Sequence, residues 1–232
     1  CGACMIACAV ENNVPPTPPG ADERRGVTWM RVYRAAPAES ADGKGEVFVP
    51  VCCQHCDGEA PCESVCPQNA VETDLKTGIV TQIPSRCLGC RYCMAACPYH
   101  ARYFNWWDPV VPEGMDAALN PGVSPRMRGV VEKCNLCHAR LQAARERAAA
   151  GGRPDIEPGE YLPACVEACP VQALVFGDMA DPARELSRLS RSPRAFRLLD
   201  RLGTRPKIFY LSSRAWVRRL GESVLERSSA EA

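Results

Sequence analysis

The feature that most constrains this chain is a run of four cysteines that ends in a Cys-Pro step. Cys87, Cys90, Cys93 and Cys97 have the spacing C-x2-C-x2-C-x3-C-P. In this spacing three thiolates bind one iron–sulfur cubane, and the fourth reaches a different cluster. The three-residue gap carries the last sulfur onto the next helical turn, and proline prevents the chain from continuing as a helix. The run therefore predicts iron–sulfur ligation that is shared between two clusters.

The rest of the chain repeats this cysteine pattern, as a search for internal repeats should reveal. A second run has the spacing C-x2-C-x5-C-x3-C-P, and a third has an inner gap of 27 residues. At the start of the chain, gaps of two and three residues match the last three cysteines of such a run. The cysteines are Cys53, Cys56, Cys62 and Cys66 in the second run, Cys134, Cys137, Cys165 and Cys169 in the third, and Cys1, Cys4 and Cys8 at the start.

One cysteine does not fit the repeats. Only Cys53 has the two-residue gap to Cys56, so we interpret Cys52 as a buried thiol that binds no iron. Four clusters need sixteen ligands, so we expect a further cysteine three residues before Cys1 in the full-length protein. A [3Fe–4S] cluster would form there if that ligand were absent. A lipid-modified Cys1 is the alternative, although it would not explain the spacing that follows.

Composition favours metal clusters over the other uses of cysteine. A chain of 232 residues with 16 cysteines is longer than most disulfide scaffolds, and it repeats a ligand spacing. Structural zinc explains C-x2-C pairs but not three Cys-Pro steps with an outward fourth cysteine. The net charge of +1 predicts no attraction to nucleic acid. No apolar run approaches the 18 residues that a membrane-spanning helix needs.

Hydrophobic periodicity and turn residues predict short elements between the cysteine runs. We expect strands at residues 27–34, 45–51, 70–73 and 78–81, and extended chain at 206–211. Turns are expected at 41–44 and 74–77, a stiff proline segment at 15–20, and an interaction loop or surface excursion at 108–128. Helices are expected at 138–150, projecting from the cluster core, at 181–202 and at 214–227. The tail from 184 to 227 carries a charge of about +8, which suits a solvated face or an acidic or lipid partner.

Several stretches between and beside the cysteines resemble a known family. They are Glu11-Asn12-Asn13, Cys53-Gln54-His55-Cys56 with Ala60-Pro61-Cys62, Cys97-Pro98-Tyr99 with Arg102-Tyr103-Phe104-Asn105-Trp106, and Lys133-Cys134-Asn135-Leu136-Cys137. The chain resembles the four-cluster, ferredoxin-type iron–sulfur subunits of membrane-bound molybdenum oxidoreductases and related complexes. These include polysulfide reductase, dimethyl sulfoxide reductase, alternative complex III and menaquinone reductase. It departs from them in lacking the leading cysteine and in having five residues between the second and third cysteines of the second run.

The resemblance implies an α+β fold of two ferredoxin-like [4Fe–4S] domains with crossed ligation, short β-hairpins, inserted loops and helices, and a helical C-terminal tail. Domain A would span residues 1–26 and 129–180, domain B 27–107, a loop insertion 108–128 and the tail 181–232. The implied ligands of the first cluster are Cys1, Cys4, Cys169 and the expected upstream cysteine. Those of the second are Cys8, Cys134, Cys137 and Cys165; of the third, Cys53, Cys56, Cys62 and Cys97; of the fourth, Cys66, Cys87, Cys90 and Cys93.

The resemblance also implies a function without a substrate site. The chain would be an electron-transfer subunit between a catalytic molybdopterin-family or multihaem partner and a multi-helix membrane quinone-binding subunit, on the periplasmic face of a bacterial inner membrane. The alternative is a soluble polyferredoxin that diffuses as a carrier. We interpret His55, His100 and His138 as structural or hydrogen-bonding residues. The cations Arg86, Arg91 and Lys133 can raise cluster potentials or be ordinary surface charges.

The aromatic residues after the run at 87–97 predict the orientation of the subunit. In the resembled family the cluster on Cys66, Cys87, Cys90 and Cys93 would lie nearest the membrane partner. Adjacent residues in extended chain point to opposite faces, so Trp106 and Trp107 can both be buried only if a partner covers one of them. We therefore expect one of the two tryptophans to contact the membrane subunit.

Overall fold

The structure is a computed structural model that describes residues 1–37, 45–58 and 60–222. Within these ranges the regular elements are short and lie between long irregular loops. The helices are α1 (Ala3–Glu11), α2 (Pro61–Ser64), α3 (Tyr92–Ala96), α4 (His138–Ala150), α5 (Ala164–Glu167), α6 (Glu185–Ser190) and α7 (Ala215–Leu220). The strands are β1 (Arg31–Ala35), β2 (Val47–Val51), β3 (Val71–Thr73), β4 (Val80–Gln82), β5 (Tyr103–Phe104), β6 (Val131–Glu132), β7 (Ala195–Phe196) and β8 (Tyr210–Leu211).

The strands form four separate antiparallel pairs. The pairs are β1 with β2, β3 with β4, β5 with β6, and β7 with β8. The predicted strands of the first two pairs are confirmed, with Arg31 opposite Val51 and Val71 opposite Gln82. The predicted turn at 41–44 lies outside the described residues. A two-stranded ribbon is marginally stable in water by itself, so each pair depends on what packs against it.

Short helices present the cysteines, and each ends just before a Cys-Pro step. Cys62 lies in α2, Cys93 in α3 and Cys165 in α5. The residue before proline is driven out of the helical region, and Cys97 is accordingly extended at φ −80°, ψ 109°. Because no proline follows Cys8, α1 continues to Glu11 as one nine-residue helix. The sequence prediction that proline ends each cluster-binding turn is therefore confirmed for the run at 87–97.

The helix predicted at 138–150 is confirmed with the same bounds, but its expected projection away from the core is wrong. One side of α4 is buried through Leu141, Ala144 and Ala148. Leu141 and Ala144 pack in one apolar cluster with Ile79 and Tyr161. The small alanines allow the close approach, so α4 lies against the β3–β4 hairpin.

The predicted helix at 181–202 is also wrong. Only α6 is helical, and a proline at position 193 breaks the helix because its ring removes a backbone donor and blocks the preceding turn. The chain then forms β7, a short 3-10 turn at Asp200–Leu202, and β8. The predicted extended chain at 206–211 contains β8, and the predicted helix at 214–227 is observed as α7, with the residues from 223 onward outside the described part. The described tail is thus mixed helix and strand.

The tail packs back on the second cysteine run. The Tyr210 hydroxyl donates to the Pro50 carbonyl at 3.0 Å, and the Lys207 amide donates to the Gln54 carbonyl at 2.9 Å. The Asp57 amide in turn donates to the Arg205 carbonyl at 2.8 Å. These contacts fix the loop around Cys53 and Cys56, and they come from residues about 150 positions later in the sequence.

The loop predicted at 108–128 has a single 3-10 turn, Asp116–Ala118, as its regular structure among these residues. It is fastened to the end of α1. The Asn13 amide nitrogen donates to the Asn120 carbonyl at 2.9 Å, and the Asn120 backbone donates back to Asn13 Oδ1 at 2.8 Å. The loop is therefore anchored at its centre by the N-terminal helix.

Candidate iron–sulfur ligand sites

The first of two cysteine-lined cavities lies between the second run and the end of the run at 87–97. Its space, including the part open to solvent, is about 340 Å³. The sulfur-bearing residues in its wall are Cys53, Cys56, Cys62 and Cys97. The structure thus brings together the four residues expected at the third cluster, although Cys97 is 35 residues or more from the others in sequence.

The second cavity has a space of about 300 Å³, again including the part open to solvent, and a different set of cysteines lines it. They are Cys66, Cys87, Cys90 and Cys93, the four residues expected at the fourth cluster. Each run therefore contributes three cysteines to one cavity and its last cysteine to the other. Buried Val71, Val80 and Val131 belong to the apolar cluster that joins the two cavities.

A third group of cysteines is buried between α1, α5 and the start of α4. Cys8, Cys134, Cys137 and Cys165 are all buried. Burial, and then repulsion from the other three thiolates, raises the pKa of Cys8. The pKa of Cys165 is raised for the same reasons to about 12. Four thiolates so close together need positive charge before they can all ionise, which iron would supply.

The remaining cysteines lie nearer the surface. Cys4 packs against the apolar cluster that contains Cys8 and Cys165, whereas Cys1 is exposed. Helix α1 packs against α5, which brings Cys169, two residues beyond α5, to the same end of the fold. The Ala173 amide lowers the pKa of Cys169 by donating to its sulfur at 3.3 Å.

The spread of these side chains does not match a zinc site. Within the described ranges, no three His, Cys, Asp or Glu side chains are close enough to share one metal ion. With a Zn–S bond of about 2.3 Å, tetrahedral zinc would hold its sulfurs about 3.8 Å apart. The cysteines instead line cavities of about 300 and 340 Å³, so they fit a multi-iron cluster better than a single ion.

Backbone amides point at the sulfurs in a repeated local turn that the sequence analysis did not recognise. In C-P-x-x-A, the alanine amide donates to the cysteine sulfur four residues earlier, at 3.2 Å for Ala70 and Cys66. The same turn occurs at Cys169 with Ala173. The residue before each alanine is left-handed: Asn69, His100 and Gln172 have φ between 46° and 51°. The threefold repeat of C-P-x-x-A was the signal that could have revealed this turn.

Buried polar side chains beside the cysteines were also missed as site residues, or were assigned no partner. The Asn12 amide lies 3.6 Å from the Cys137 sulfur and donates to the Cys8 carbonyl at 2.9 Å. The Val80 amide donates to His55 Nδ1 at 3.2 Å, so the neutral ring carries its proton on Nε2. That Nε2 is buried without a hydrogen-bond partner in the described protein. Burial, then Lys133, lowers the His55 pKa to about 4, so the ring is a neutral donor.

Cys52 lies beside Cys134 and outside both cavities. The neighbouring Cys134 and then burial raise the pKa of Cys52, whereas Cys52 lowers the pKa of Cys134. The buried His55 Nε2 proton, the lowered pKa of Cys134 and the two cysteine-lined cavities all fit anionic sulfur clusters, because such clusters need thiolate ligands and accept hydrogen bonds.

Comparisons with known proteins place the chain in a family. Residues 45–112 match the family described as "4Fe-4S dicluster domain". The chain is 47% identical over 233 residues to the iron–sulfur cluster-binding subunit of menaquinone reductase from Nitratidesulfovibrio vulgaris, which covers 100% of this chain and 91% of the relative. The chain belongs to this family of iron–sulfur subunits.

Other members of the family of iron–sulfur subunits are also similar along most of the chain. The Hdr-like menaquinol oxidoreductase iron–sulfur subunit 1 of Archaeoglobus fulgidus is 40% identical over 210 residues, covering 89% of this chain and 71% of its own. The arsenate respiratory reductase iron–sulfur subunit of Shewanella sp. strain ANA-3 is 32% identical over 241 residues, covering 92% and 91%. The resemblance inferred from the cysteine runs is therefore confirmed.

Proposed function

We propose that this iron–sulfur subunit conducts electrons along four clusters, between a catalytic partner subunit and a membrane quinone-binding subunit of a respiratory complex. The observation that carries the proposal is a gradient of burial. The cysteines expected at the two inner clusters are buried, with Cys97 half-buried, whereas each outer group reaches the surface, at Cys1 and at Cys90. Electrons would enter and leave at the outer groups and be shielded from solvent between them.

The proposed ligands follow the grouping of the cysteines. Cys1, Cys4 and Cys169 would hold the first cluster, with a fourth ligand from outside this set, and Cys8, Cys134, Cys137 and Cys165 the second. The cysteines of the two cavities would hold the third and fourth. Because the last cysteine of each run serves the neighbouring cluster, α2 and α3 tie the third and fourth clusters together. This crossed ligation would fix their separation and keep it short enough for electron tunnelling.

The names of the relatives support a membrane quinone as one partner. Menaquinone and menaquinol occur in the names of two of them, and a respiratory reductase in the third. We infer that a molybdopterin-family or multihaem subunit lies at the other end, and that the complex sits on the periplasmic face of a bacterial inner membrane. No helix in the described part of the chain is long and apolar enough to cross a bilayer, so the described residues offer no span of their own.

The test is to purify the tagged chain from its native membranes. The expected result is co-purification of a multi-helix membrane protein, and menaquinol-driven reduction of the clusters, seen as bleaching of their visible absorbance. Cys90→Ser should abolish this reduction while the other clusters remain. Cys52→Ser, which makes the same change at a position outside the cavities, should not. A chain that purifies alone and exchanges electrons with soluble carriers at full rate would support the diffusible polyferredoxin instead.

A further inference from the structure

Arg102 is a buried cation between the two cysteine-lined cavities. Arg102 lies five residues after Cys97, the last cysteine of the run at 87–97, and is 3% exposed. No carboxylate forms an ion pair with it in the part of the chain that the structure describes. A buried charge without a counter-charge is strongly unfavourable, so the fold requires negative charge near this guanidinium from some other source.

The hydrogen bonds of Arg102 account for only part of its donors. Nη1 donates to Gln82 Oε1 at 2.6 Å. Nε and Nη2 are enclosed and have no hydrogen-bond partner among the described residues. Arg102 lines the cavity of Cys53, Cys56, Cys62 and Cys97, while Gln82 lines the other cavity. The side chain therefore spans the wall that the two cavities share.

The charges nearest to Arg102 are cysteine sulfurs from both cavities. Its guanidinium lies within electrostatic reach of Cys62, Cys53 and Cys93. Cys62 belongs to one cavity and Cys93 to the other. One guanidinium thus interacts with a ligand of each.

We propose that Arg102 is a positioning residue that raises the reduction potentials of the third and fourth clusters together; this rests on the cluster assignment proposed above. Each cluster gains one electron when an external donor reduces it, and its negative charge grows by one. A fixed cation beside both clusters stabilises the reduced form of each. The effect is strong because the surroundings are apolar and screen charge poorly. The anionic clusters are in turn the counter-charge that makes the buried guanidinium tolerable.

The shared position has a consequence for electron flow. Reduction of one cluster repels an electron from its neighbour, since two like charges a short distance apart raise each other's energy. A cation close to both clusters lowers the energy of an added electron on either one, which compensates for part of that rise. Because Arg102 shifts both potentials in the same direction, it adds no uphill step to electron transfer between the two clusters.

The test is a redox titration of the cluster-loaded chain in its complex, with the reduced clusters followed by electron paramagnetic resonance. Arg102→Gln removes the charge but keeps amide donors. At a fixed ambient potential we expect the reduced-to-oxidised ratio of the third and fourth clusters to fall at least tenfold, which is about 59 mV for a one-electron couple. The first and second clusters should be unchanged.

Two further variants keep the proposal falsifiable. Arg86→Gln removes a cation one residue before Cys87, but Arg86 is half-exposed and paired with Glu72, so solvent screens it and all potentials should stay at their wild-type values. Arg102→Lys keeps the charge without the planar fork, so its potentials should stay close to those of the wild type, and this comparison can be made even if Arg102→Gln fails to retain its clusters. A tenfold or greater fall in the same ratio for Arg102→Lys would also overturn the proposal. Unchanged potentials in Arg102→Gln, or equal shifts in Arg102→Gln and Arg86→Gln, would overturn the proposal. A purified wild-type complex that contained no iron–sulfur clusters would instead overturn the proposed function.

Discussion

At the scale of single residues, two adjacent cysteines have opposite environments. Cys53 lies in the wall of the 340 Å³ cavity, whereas Cys52 is buried on the other side of the chain. The Cys52 thiol donates to the Cys53 carbonyl oxygen at 3.5 Å, and Cys134 lies beside it. The period of two in extended chain explains why neighbours along this stretch face different ways.

We therefore predict different outcomes for the same substitution at these two positions. Cys52→Ser should leave the iron content near that of the wild type, because Cys52 lies outside both cavities and a serine hydroxyl can still donate to the Cys53 carbonyl. Cys53→Ser should lose or convert the third cluster, because a ligand is removed. Iron analysis and electron paramagnetic resonance of the two purified variants provide the measurement. If the iron loss followed Cys52 instead, the assignment of the second run would be wrong by one residue.

At the scale of elements, the loop between Cys87 and α3 is fixed by a glycine. Gly89 has φ 75°, a left-handed conformation that disfavours any side chain. A Cβ atom there would also overlap the carbonyl oxygen of Gly129 and press on the ring of Phe104. Gly129, at φ 89°, has open space around its own Cβ position. The two glycines thus share the backbone requirement but differ in packing.

Substitutions at the two glycines separate the cost of left-handed backbone strain from the cost of steric overlap. Gly129→Ala should destabilise the cluster-loaded protein by about 1 kcal/mol, the cost of a left-handed alanine. Gly89→Ala should cost about 3 kcal/mol or more, since overpacking adds roughly 1–3 kcal/mol. In a chain of this size each kcal/mol lowers the apparent Tm by about 2–4 °C. Thermal unfolding followed by circular dichroism would measure both; equal losses would mean that the loop moves away from Gly129 at little cost.

At the scale of the whole molecule, the aromatic surface beside the fourth cysteine group is only partly covered. Phe104 and Trp106 contact edge to face at 4.7 Å, and Arg91 and Arg25 each lie 5.0 Å from the Trp106 ring. Trp106 and Trp107 are both half-buried. Aromatic and arginine side chains are enriched at protein interfaces, so this surface suits a partner subunit. The expectation of a membrane-subunit contact here stays a prediction.

Alanine substitutions test that orientation. We expect Trp106→Ala or Trp107→Ala to weaken complex assembly, or to slow electron exchange with quinone, while the iron content stays at the wild-type value. Trp216→Ala, at a half-buried tryptophan in α7, is the matched control and should leave assembly intact. Co-purification yield and quinol-driven reduction rates are the measurements. Full quinone activity in both variants, or the first cluster at the membrane face, would refute the orientation.

The sequence alone determined those features that depend on residues close together in the chain. The cysteine spacings identified iron–sulfur ligation, the Cys-Pro steps located the ends of the short helices, and the residues of α4 fixed its two bounds, because these are local requirements of ligation, φ angle and helix capping. The four-cysteine groups were reached through resemblance, since no local spacing says which distant cysteine completes a cluster.

Tertiary structure decided what depends on distant neighbours. Pro193 ends the helix locally, and the chain beyond it then folds into β7 and β8 because these strands pair with each other and pack on the β1–β2 hairpin. Asn12, His55 and Arg102 acquire their roles only when the fold brings sulfurs from other runs to them. Such roles follow from burial and from which charges surround a group, and both are properties of the assembled fold that no segment of sequence carries by itself.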